Sequence, residues 1–323
     1  MNSPRVNNLR ITIAAPCYNE EAAIEMFLNA LTHVCLQLEA RSYDVTILMI
    51  DDGSSDRTLE IVNKYAALDR RVRTASFSRN FGHQAAVAAA IDLAEADALI
   101  IMDSDMQHPP ECILEMVSSW EAGYEIVSMV RKETAAQTFL KKITSRIFYR
   151  LFNVLCETKI MDGATEFFLL DADPLQAARS LPEYHQFWRG IISWIGFRRI
   201  FIDYSASKRV AGRSKYSAHK MIHLAFDGLT SFSARPMKLV IGLGLLTITL
   251  SFLYLLYILF AALFLRSIVP GWSSLIVVVI FFGGIQMATI GIVGAYIGKI
   301  FEQVKQRPKY ILTKAPNSRS AHQ

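Results

Sequence analysis

The chain has 323 residues, of which 52% are hydrophobic and 20% are charged, and its formal net charge at pH 7 is +5. This composition excludes a disordered polymer and a small disulfide-stabilised scaffold. The mean hydropathy of +0.26 is high for a soluble enzyme, and nearly all of the excess lies after residue 238. We therefore expect a soluble domain followed by a membrane-embedded tail.

Residues 10–130 alternate short apolar runs with helical patterns. Strands are predicted at residues 11–15, 45–50, 72–77 and 98–102, with helices that begin near Glu20, after Asp56 and near His83. Such alternation implies right-handed crossovers and a largely parallel sheet. The sequence therefore predicts an α/β domain whose ligands bind beyond the carboxyl ends of the strands.

A polar run follows each of these four predicted strands. The runs are P-C-Y-N-E-E from Pro16, D-D-G-S-S-D from Asp51, S-R-N-F-G-H from Ser78 and D-S-D-M-Q-H-P-P from Asp103. The run from Asp51 alone could be only a turn and a helix cap. Four such runs in order indicate a single crevice.

The run from Asp103 contains the candidate metal ligands. Asp103 and Asp105, followed by Gln107, offer hard oxygen atoms that suit Mg²⁺ or Mn²⁺, and such an ion can neutralise a diphosphate. The alternative is a solvated acidic loop. Neither G-x-G-x-x-G nor G-x-x-x-x-G-K-[ST] is present, so neither a dinucleotide cofactor nor a P-loop is indicated.

Two uncharged stretches near the C-terminus, residues 239–265 and 274–298, predict membrane-spanning helices; the alternative is a buried soluble hairpin. Basic residues flank the pair, so the positive-inside rule places both termini in the cytoplasm. We predict a multi-pass protein of the cell inner (plasma) membrane. The glycines of the second stretch make a homo-oligomer plausible.

The predicted domain organisation follows from these segments. A cytoplasmic domain covers residues 1–210, a juxtamembrane amphipathic segment 211–236, the two spans 237–265 and 274–298, and a basic cytoplasmic tail 299–323. Residues 139–155 also carry apolar and basic faces at helical spacing, which fits either a membrane-surface helix or a helix packed on its own domain.

The cysteines, the N-terminus and the net charge indicate the compartment and the partners of the protein. The four cysteines are irregularly spaced and the polar N-terminus lacks a secretory signal, so we expect reduced thiols and a domain that stays in the cytoplasm. The net positive charge suits nucleic acid, an anionic membrane or a phosphorylated substrate. Because no nucleic-acid recognition motif accompanies the cations, we expect no nucleic-acid partner.

The four runs, together with Arg131, R-V-A-G-R-S-K-Y from Arg209 and the two spans, resemble glycosyltransferase family 2 with the GT-A fold. Within it they are most similar to polyprenyl-phosphate glycosyltransferases, which include bacterial undecaprenyl-phosphate glucosyltransferases and dolichyl-phosphate mannose synthase. The resemblance covers nearly the whole chain. It implies inverting transfer of a hexose, with UDP-glucose as the best guess for the donor, to undecaprenyl phosphate at the cytoplasmic face of the bilayer.

The resemblance also implies roles for individual residues. Contacts with the nucleotide fall to Pro16, Tyr18, Glu20, Asp51, Asp52, Asp103 and Ser104. Contacts with the donor diphosphate and the acceptor phosphate fall to Arg131, Arg209, Ser214 and Lys215. The resemblance implies that Asp103, Asp105 and Gln107 bind the metal ion.

The catalytic base is where the chain departs from its relatives, which usually have G-D-F-R-L. Here the sequence from residue 164 is A-T-E-F-F-L, so Glu166 replaces the aspartate, Phe168 replaces the arginine, and Asp162 is an alternative carboxylate nearby. A phosphate monoester has a second pKa near 6 and is already mostly anionic at neutral pH. We therefore expect Asp105 and the cations to matter more than a base.

Two other functions are compatible with this sequence. A processive polysaccharide synthase would need more spans and a Q-x-x-R-W motif, whereas this chain reads Q-F-W-R-G from Gln186. A non-catalytic membrane scaffold that retains the fold is suggested by the changes at Glu166 and Phe168.

Overall fold

The structure, a computed structural model, describes residues 9–132, 161, 163–184, 186–205, 235–260 and 271–314. The strands are β1 Arg10–Cys17, β2 Asp44–Asp51, β3 Val72–Phe77, β4 Ala98–Ile101, β5 Ile126–Arg131, β6 Ala164–Asp171, β7 Arg199–Tyr204 and β8 Leu312–Lys314. The helices are α1 Ile24–Glu39, α2 Thr58–Leu68, α3 His83–Leu93, α4 Cys112–Glu121, α5 Ala172–Arg179, α6 Trp188–Trp194, α7 Arg235–Phe260 and α8 Trp272–Val304.

The described strands form one sheet in the order β7-β5-β6-β4-β1-β2-β3-β8. Strands β4, β1, β2 and β3 are parallel neighbours, and β5 pairs in parallel with β7. Strand β6 is antiparallel to both β4 and β5, and β8 is antiparallel to β3. This arrangement confirms the predicted α/β domain with a mostly parallel sheet and agrees with the GT-A expectation.

Helices cover both faces of the sheet, which explains why the strands are apolar on both sides. One core contains Ile13 of β1 and Phe167 of β6 together with α1 and α4 residues, and the other contains Ala14 and Phe168 with α3 and α6 residues. Because side chains alternate along a strand, Glu166 shares the second face with Phe168. Phe168 itself is 2% exposed, so an apolar side chain lies in the core at the position where the family resemblance implies arginine.

The predicted elements up to residue 102 are confirmed with small changes at their ends. Strand β3 has the predicted bounds, whereas the helix expected from Glu20 begins at Ile24. The delay has a local cause, because the Glu20 backbone N–H is bound by Thr58 Oγ1 at 2.8 Å and the intervening residues form a turn. Strands β6 and β7 and the helices between them were not anticipated.

Two long helices lie in the region of the predicted spans. Within the described ranges, one segment, Phe281–Val304, is long and apolar enough to cross a membrane, with a mean hydropathy of 1.4, and none of its residues is buried. In α7 the apolar stretch Gly244–Tyr254 is shorter. One candidate span is therefore present by length and composition, and the two-span arrangement stays a prediction.

The C-terminal segment differs from the expected basic tail. Residues 299–304 continue α8, and Leu312–Lys314 adds β8 to the edge of the sheet beside β3. The Ser78 backbone N–H donates to Ile311 O at 2.9 Å and extends this pairing. The predicted amphipathic segments 139–155 and 211–236 lie outside the described residues, apart from the last two residues of the second, which begin α7.

Candidate active site

The candidate active site lies at the edge of the sheet where β1 to β5 end. Strand β6 also reaches this edge, because it is antiparallel and its first residues pair with the ends of its neighbours, Ala164 with Val130 and Phe168 with Ile101. Topology thus brings Glu166, distant in sequence, next to the four polar runs.

The loop after β1 is joined to the loops after β2 and β4. Pro16 O accepts a hydrogen bond from Ser104 Oγ at 2.8 Å, and the Asn19 N–H donates to Ser54 Oγ at 3.0 Å. The Tyr18 side chain is 36% exposed beside them. The predicted nucleotide-binding residues Pro16, Tyr18, Glu20 and Ser104 are therefore brought together.

The carboxylates of Asp51 and Asp52 are buried, and they fix the positions of neighbouring loops by accepting hydrogen bonds from them. Asp51 accepts hydrogen bonds from the Ser54 N–H at 3.1 Å and from Ser76 Oγ at 2.8 Å. Asp52 accepts from the Phe81 N–H at 2.7 Å and the Gly82 N–H at 3.0 Å. Burial raises the pKa of Asp52, although the two backbone donors oppose that rise. Both carboxylates order the site, and their contacts with a nucleoside stay a prediction.

Gly53 permits the close approach of two of these loops. Its φ of +68° is in the left-handed region, and a Cβ there would lie 2.5 Å from the Arg79 backbone carbon. Only glycine meets both demands. The D-D-G turn therefore packs directly against the loop that leads to α3.

Asp105, Gln107 and Arg131 form a hydrogen-bonded chain. The two carboxylate oxygens of Asp105 accept from the backbone N–H and the side-chain Nε2 of Gln107, each at 3.0 Å. Gln107 Oε1 accepts from Arg131 Nη1 at 3.1 Å. The predicted metal-binding and phosphate-binding residues thus meet at the ends of β4 and β5.

The donor set fits a hard divalent cation, since carboxylate oxygens of Asp103 and Asp105 are the ligands that Mg²⁺ and Mn²⁺ prefer. Among the described residues, no three His, Cys, Asp or Glu side chains converge into a group that could hold a metal ion. Protein side chains from this part of the chain therefore offer a partial shell. The amide of Gln107 is already engaged by Asp105 and Arg131, so its role as a ligand stays a prediction.

Glu166 is at the centre of a buried polar cluster at this edge. Its Oε1 accepts hydrogen bonds from Gln84 Nε2 at 2.9 Å and from Arg189 Nε at 3.1 Å, and its Oε2 lies 2.5 Å from His83 Nε2. Burial alone raises the pKa of Glu166, but the charges of His83 and Arg189 and the hydrogen bonds hold it well below the usual value. Glu166 is therefore a carboxylate anion at neutral pH.

His83 links Glu166 to Asp103, whose Oδ1 lies 3.5 Å from His83 Nε2. Desolvation by the surrounding side chains lowers the pKa of His83, but the charge and hydrogen bond of Glu166 and the charge of Asp103 together outweigh it and raise the pKa to about 9. On the other side of Asp103, His108 Nδ1 accepts from the Asp103 N–H at 3.0 Å. Burial lowers the pKa of His108, which therefore stays neutral.

Sequence reasoning did not assign functions to His83, Gln84, His108 and Arg189. His83 and His108 belong to two of the polar runs, and Arg189 belongs to the Q-F-W-R-G segment, whose difference from Q-x-x-R-W argues against a processive synthase. Their contacts depend on where α3 and α6 cross the sheet, which no local pattern reports. The predicted site residues Asp162, Arg209, Ser214 and Lys215 lie outside the described residues.

Comparison with known proteins adds independent findings. The model of the family described as Glycosyl transferase family 2 matches residues 12–178. The chain is similar to the uncharacterized glycosyltransferase YkcC of Bacillus subtilis (strain 168), with 40% identity over 95% of this chain and 94% of that protein. It is also similar to the SfII prophage-derived bactoprenol glucosyl transferase of Shigella flexneri, with 37% identity over 95% of this chain and 98% of that one.

Solved structures with related architecture include glucosyl-3-phosphoglycerate synthase from Mycobacterium tuberculosis in complex with Mn²⁺, UDP-glucose and phosphoglyceric acid. The TM-score is 0.47 and the identity 16%, over 69% of this chain and 78% of that one. The S. aureus protein TarS in complex with UDP-GlcNAc gives a TM-score of 0.45 and 17% identity, over 69% of this chain and 66% of that one.

Proposed function

Because the chain belongs to glycosyl transferase family 2, we propose that it transfers a glucosyl group from UDP-glucose to the phosphate of undecaprenyl phosphate. The relatives named bactoprenol glucosyl transferases, similar along almost their whole length, support this acceptor and sugar. The product, a lipid-linked glucose, serves to modify envelope glycans.

The main support for the proposal is that polar side chains on or next to six strands, β1 to β6, meet at one edge of the sheet. They supply both the negative and the positive charges that the reaction needs. Asp105 and Asp103 offer oxygen ligands, while Arg131 offers a guanidinium that reaches Gln107 beside them. A transfer between two phosphorylated substrates requires such cations beside a metal site.

Asp103 and Asp105 would hold Mg²⁺ or Mn²⁺. When bound, such an ion neutralises the negative charge that develops on the departing nucleoside diphosphate. Arg131 contributes positive charge at the same place, and Tyr18, which is 36% exposed, would stack on the base of the nucleotide. The chain's own residues therefore bind the donor and orient it.

The acceptor phosphate is the nucleophile in this proposal. It is already mostly anionic at neutral pH, so its attack on the anomeric carbon needs little help from a base. Direct attack opposite the leaving diphosphate inverts the configuration, and an α-linked donor gives a β-linked lipid product. Proton-coupled NMR of the product measures the linkage, and an α linkage would contradict direct displacement.

A lipid acceptor requires a domain at the membrane surface. We propose that α7 and α8 anchor the chain in the inner membrane, with the catalytic domain and both termini in the cytoplasm. The apolar segment Phe281–Val304 supports one span, and the uncharged residues 239–265 support the other.

The test uses the full-length protein in membranes. A panel of radiolabelled nucleotide sugars is incubated with undecaprenyl phosphate, with and without EDTA, and the lipid fraction is counted. We expect label from UDP-glucose, abolished by EDTA and restored by Mg²⁺ or Mn²⁺. Absence of lipid labelling with every donor would overturn the proposal in favour of a non-catalytic scaffold.

A further inference from the structure

The side-chain amide of Gln84 has an orientation that its surroundings determine. Its oxygen accepts a hydrogen bond from the backbone N–H of Trp188, the first residue of α6, at 3.0 Å. A backbone N–H can only donate, so the oxygen must face α6 and the NH₂ group must face Glu166. The indole of Trp188 also donates to Gln84 O at 3.1 Å, which fixes the two helices together.

This orientation restricts the protonation of Glu166. Its Oε1 receives Gln84 Nε2 at 2.9 Å and Arg189 Nε at 3.1 Å, and both groups are donors. A proton on that oxygen would point at a donor. The side chain of Glu166 is 4% exposed, whereas the His83 imidazole against its Oε2 is 41% exposed and lies 3.5 Å from Asp103 Oδ1. The group that the crevice presents to a substrate is therefore His83, and Glu166 lies behind it.

We propose that Gln84 and Arg189 are positioning residues that hold Glu166 as a fixed anion, and that Glu166 acts by holding the His83 imidazole beside Asp103 instead of accepting a proton. The inference rests on the proposed transferase function, because it assigns roles within that reaction. In this inference Glu166 determines the position of His83 and does not act as the catalytic base.

A double-mutant cycle tests the coupling. Gln84→Met keeps the length of the side chain and removes both of its hydrogen bonds. We expect it to lower kcat about 10-fold while the donor KM changes less than about twofold, and to have almost no effect when Glu166→Gln is already present. Independent, multiplicative losses in the double variant would overturn the inference. Arg189→Lys, which keeps the charge but not the Nε contact, repeats the cycle should the Gln84 variant fail to fold.

Glu166→Gln alone separates positioning from proton transfer. The amide keeps the shape of the side chain and can still accept a hydrogen bond from Arg189, but it cannot take up a proton. We expect kcat to fall only about 10-fold. A fall of more than about 100-fold in a folded variant, the size of effect that loss of a general base produces, would mean that Glu166 accepts a proton and would contradict the inference.

A spectroscopic readout keeps the inference independent of activity. In protein labelled with ¹⁵N-histidine, the ring nitrogen shifts of His83 should change in Gln84→Met. They should stay unchanged in Gln37→Met, a matched control on the exposed face of α1. Unchanged His83 shifts in Gln84→Met would overturn the positioning role even if no transfer were observed. Wild-type protein without transfer activity would instead contradict the proposed function.

Discussion

Asp105 and Glu166 are acidic side chains with different roles in the proposed reaction. Asp105 lies in a hydrogen-bonded chain with Gln107 and Arg131 at the end of β4, where a diphosphate and its cation would bind. Glu166 is buried and surrounded by donors. Asp105 is therefore placed to contact the substrate, whereas Glu166 is placed to hold His83.

We therefore expect Asp105→Ala to cost more activity than Glu166→Gln. Loss of a metal ligand removes charge stabilisation of the leaving group and should lower kcat by about 100-fold or more, whereas Glu166→Gln should lower it about 10-fold. Lipid labelling with UDP-glucose measures both. The control is Asp173→Ala, an exposed acidic residue in the first turn of α5. A fatal Glu166 change beside a mild Asp105 change, with both variants folded, would contradict the account.

The His83–Glu166 pair makes stability depend on pH. The pKa of His83 is raised to about 9 in the folded protein, against an ordinary value of about 6.5. The folded state therefore binds more protons between these values, and its extra stability is complete below pH 6.5 and is lost as pH rises through 9. Thermal unfolding in EDTA from pH 6.5 to 9.5 should show a falling Tm that is flatter in His83→Asn. Parallel curves for the two proteins would contradict the pairing.

Sequence reasoning at this scale found the carboxylates but not the cluster around Glu166. Asp103 and Asp105 directly follow a strand, so their location is readable from local pattern. Gln84 of α3 bonds Trp188 of α6, 104 positions away, and Arg189 beside Trp188 donates to Glu166 of β6. Only the crossing of these helices over the sheet brings the cluster together.

Strand β8 is the element that ties the C-terminal end of α8 to the catalytic domain. Tyr310 stacks on Phe77 with ring centroids 5.0 Å apart, and its hydroxyl donates to Asp92 at 3.2 Å. Phe77 in turn packs edge-on against Phe81, whose backbone N–H binds Asp52. Tyr310, Pro182 and Tyr184 line a cavity of about 560 Å³. The C-terminal segment thus supports the loop that leads to His83.

Removal of the Tyr310 ring should therefore destabilise the domain. We expect Tyr310→Ala to lower the free energy of unfolding by about 2 kcal/mol, through lost aromatic packing and the lost hydrogen bond. Ile311→Ala, a neighbour that is 51% exposed, should change it by less than about 0.5 kcal/mol. Denaturant titration of the full chain measures both. Equal effects of the two substitutions would mean that the β8 segment is not packed as described.

This segment shows why some elements escaped sequence reasoning. Strand β8 has three residues, and its partner β3 precedes it by more than 200 positions. Its basic flanks predict a basic cytoplasmic tail over residues 299–323. By contrast, the alternation of apolar runs and helical patterns before residue 102 repeats often enough to predict a parallel sheet directly.

At the scale of the whole molecule, the proposed reaction requires the sheet edge and both ends of the chain to lie on the cytoplasmic side. Reporter fusions test this arrangement. Alkaline phosphatase fused after residue 270 should be active, and green fluorescent protein fused after residue 323 should fluoresce. The reverse pattern, or inactive phosphatase at residue 270 in a stably expressed fusion, would contradict the two-span topology.

The most direct test of the central claim is a crystal or cryo-EM structure of the full chain with Mn²⁺ and UDP at saturating concentration. The account predicts the uracil beside Tyr18 and the ion in contact with a carboxylate oxygen of Asp105, with the diphosphate between that ion and Arg131. Nucleotide bound away from the carboxyl ends of β1 to β4, or an empty crevice in a protein that retains its fold, would contradict it.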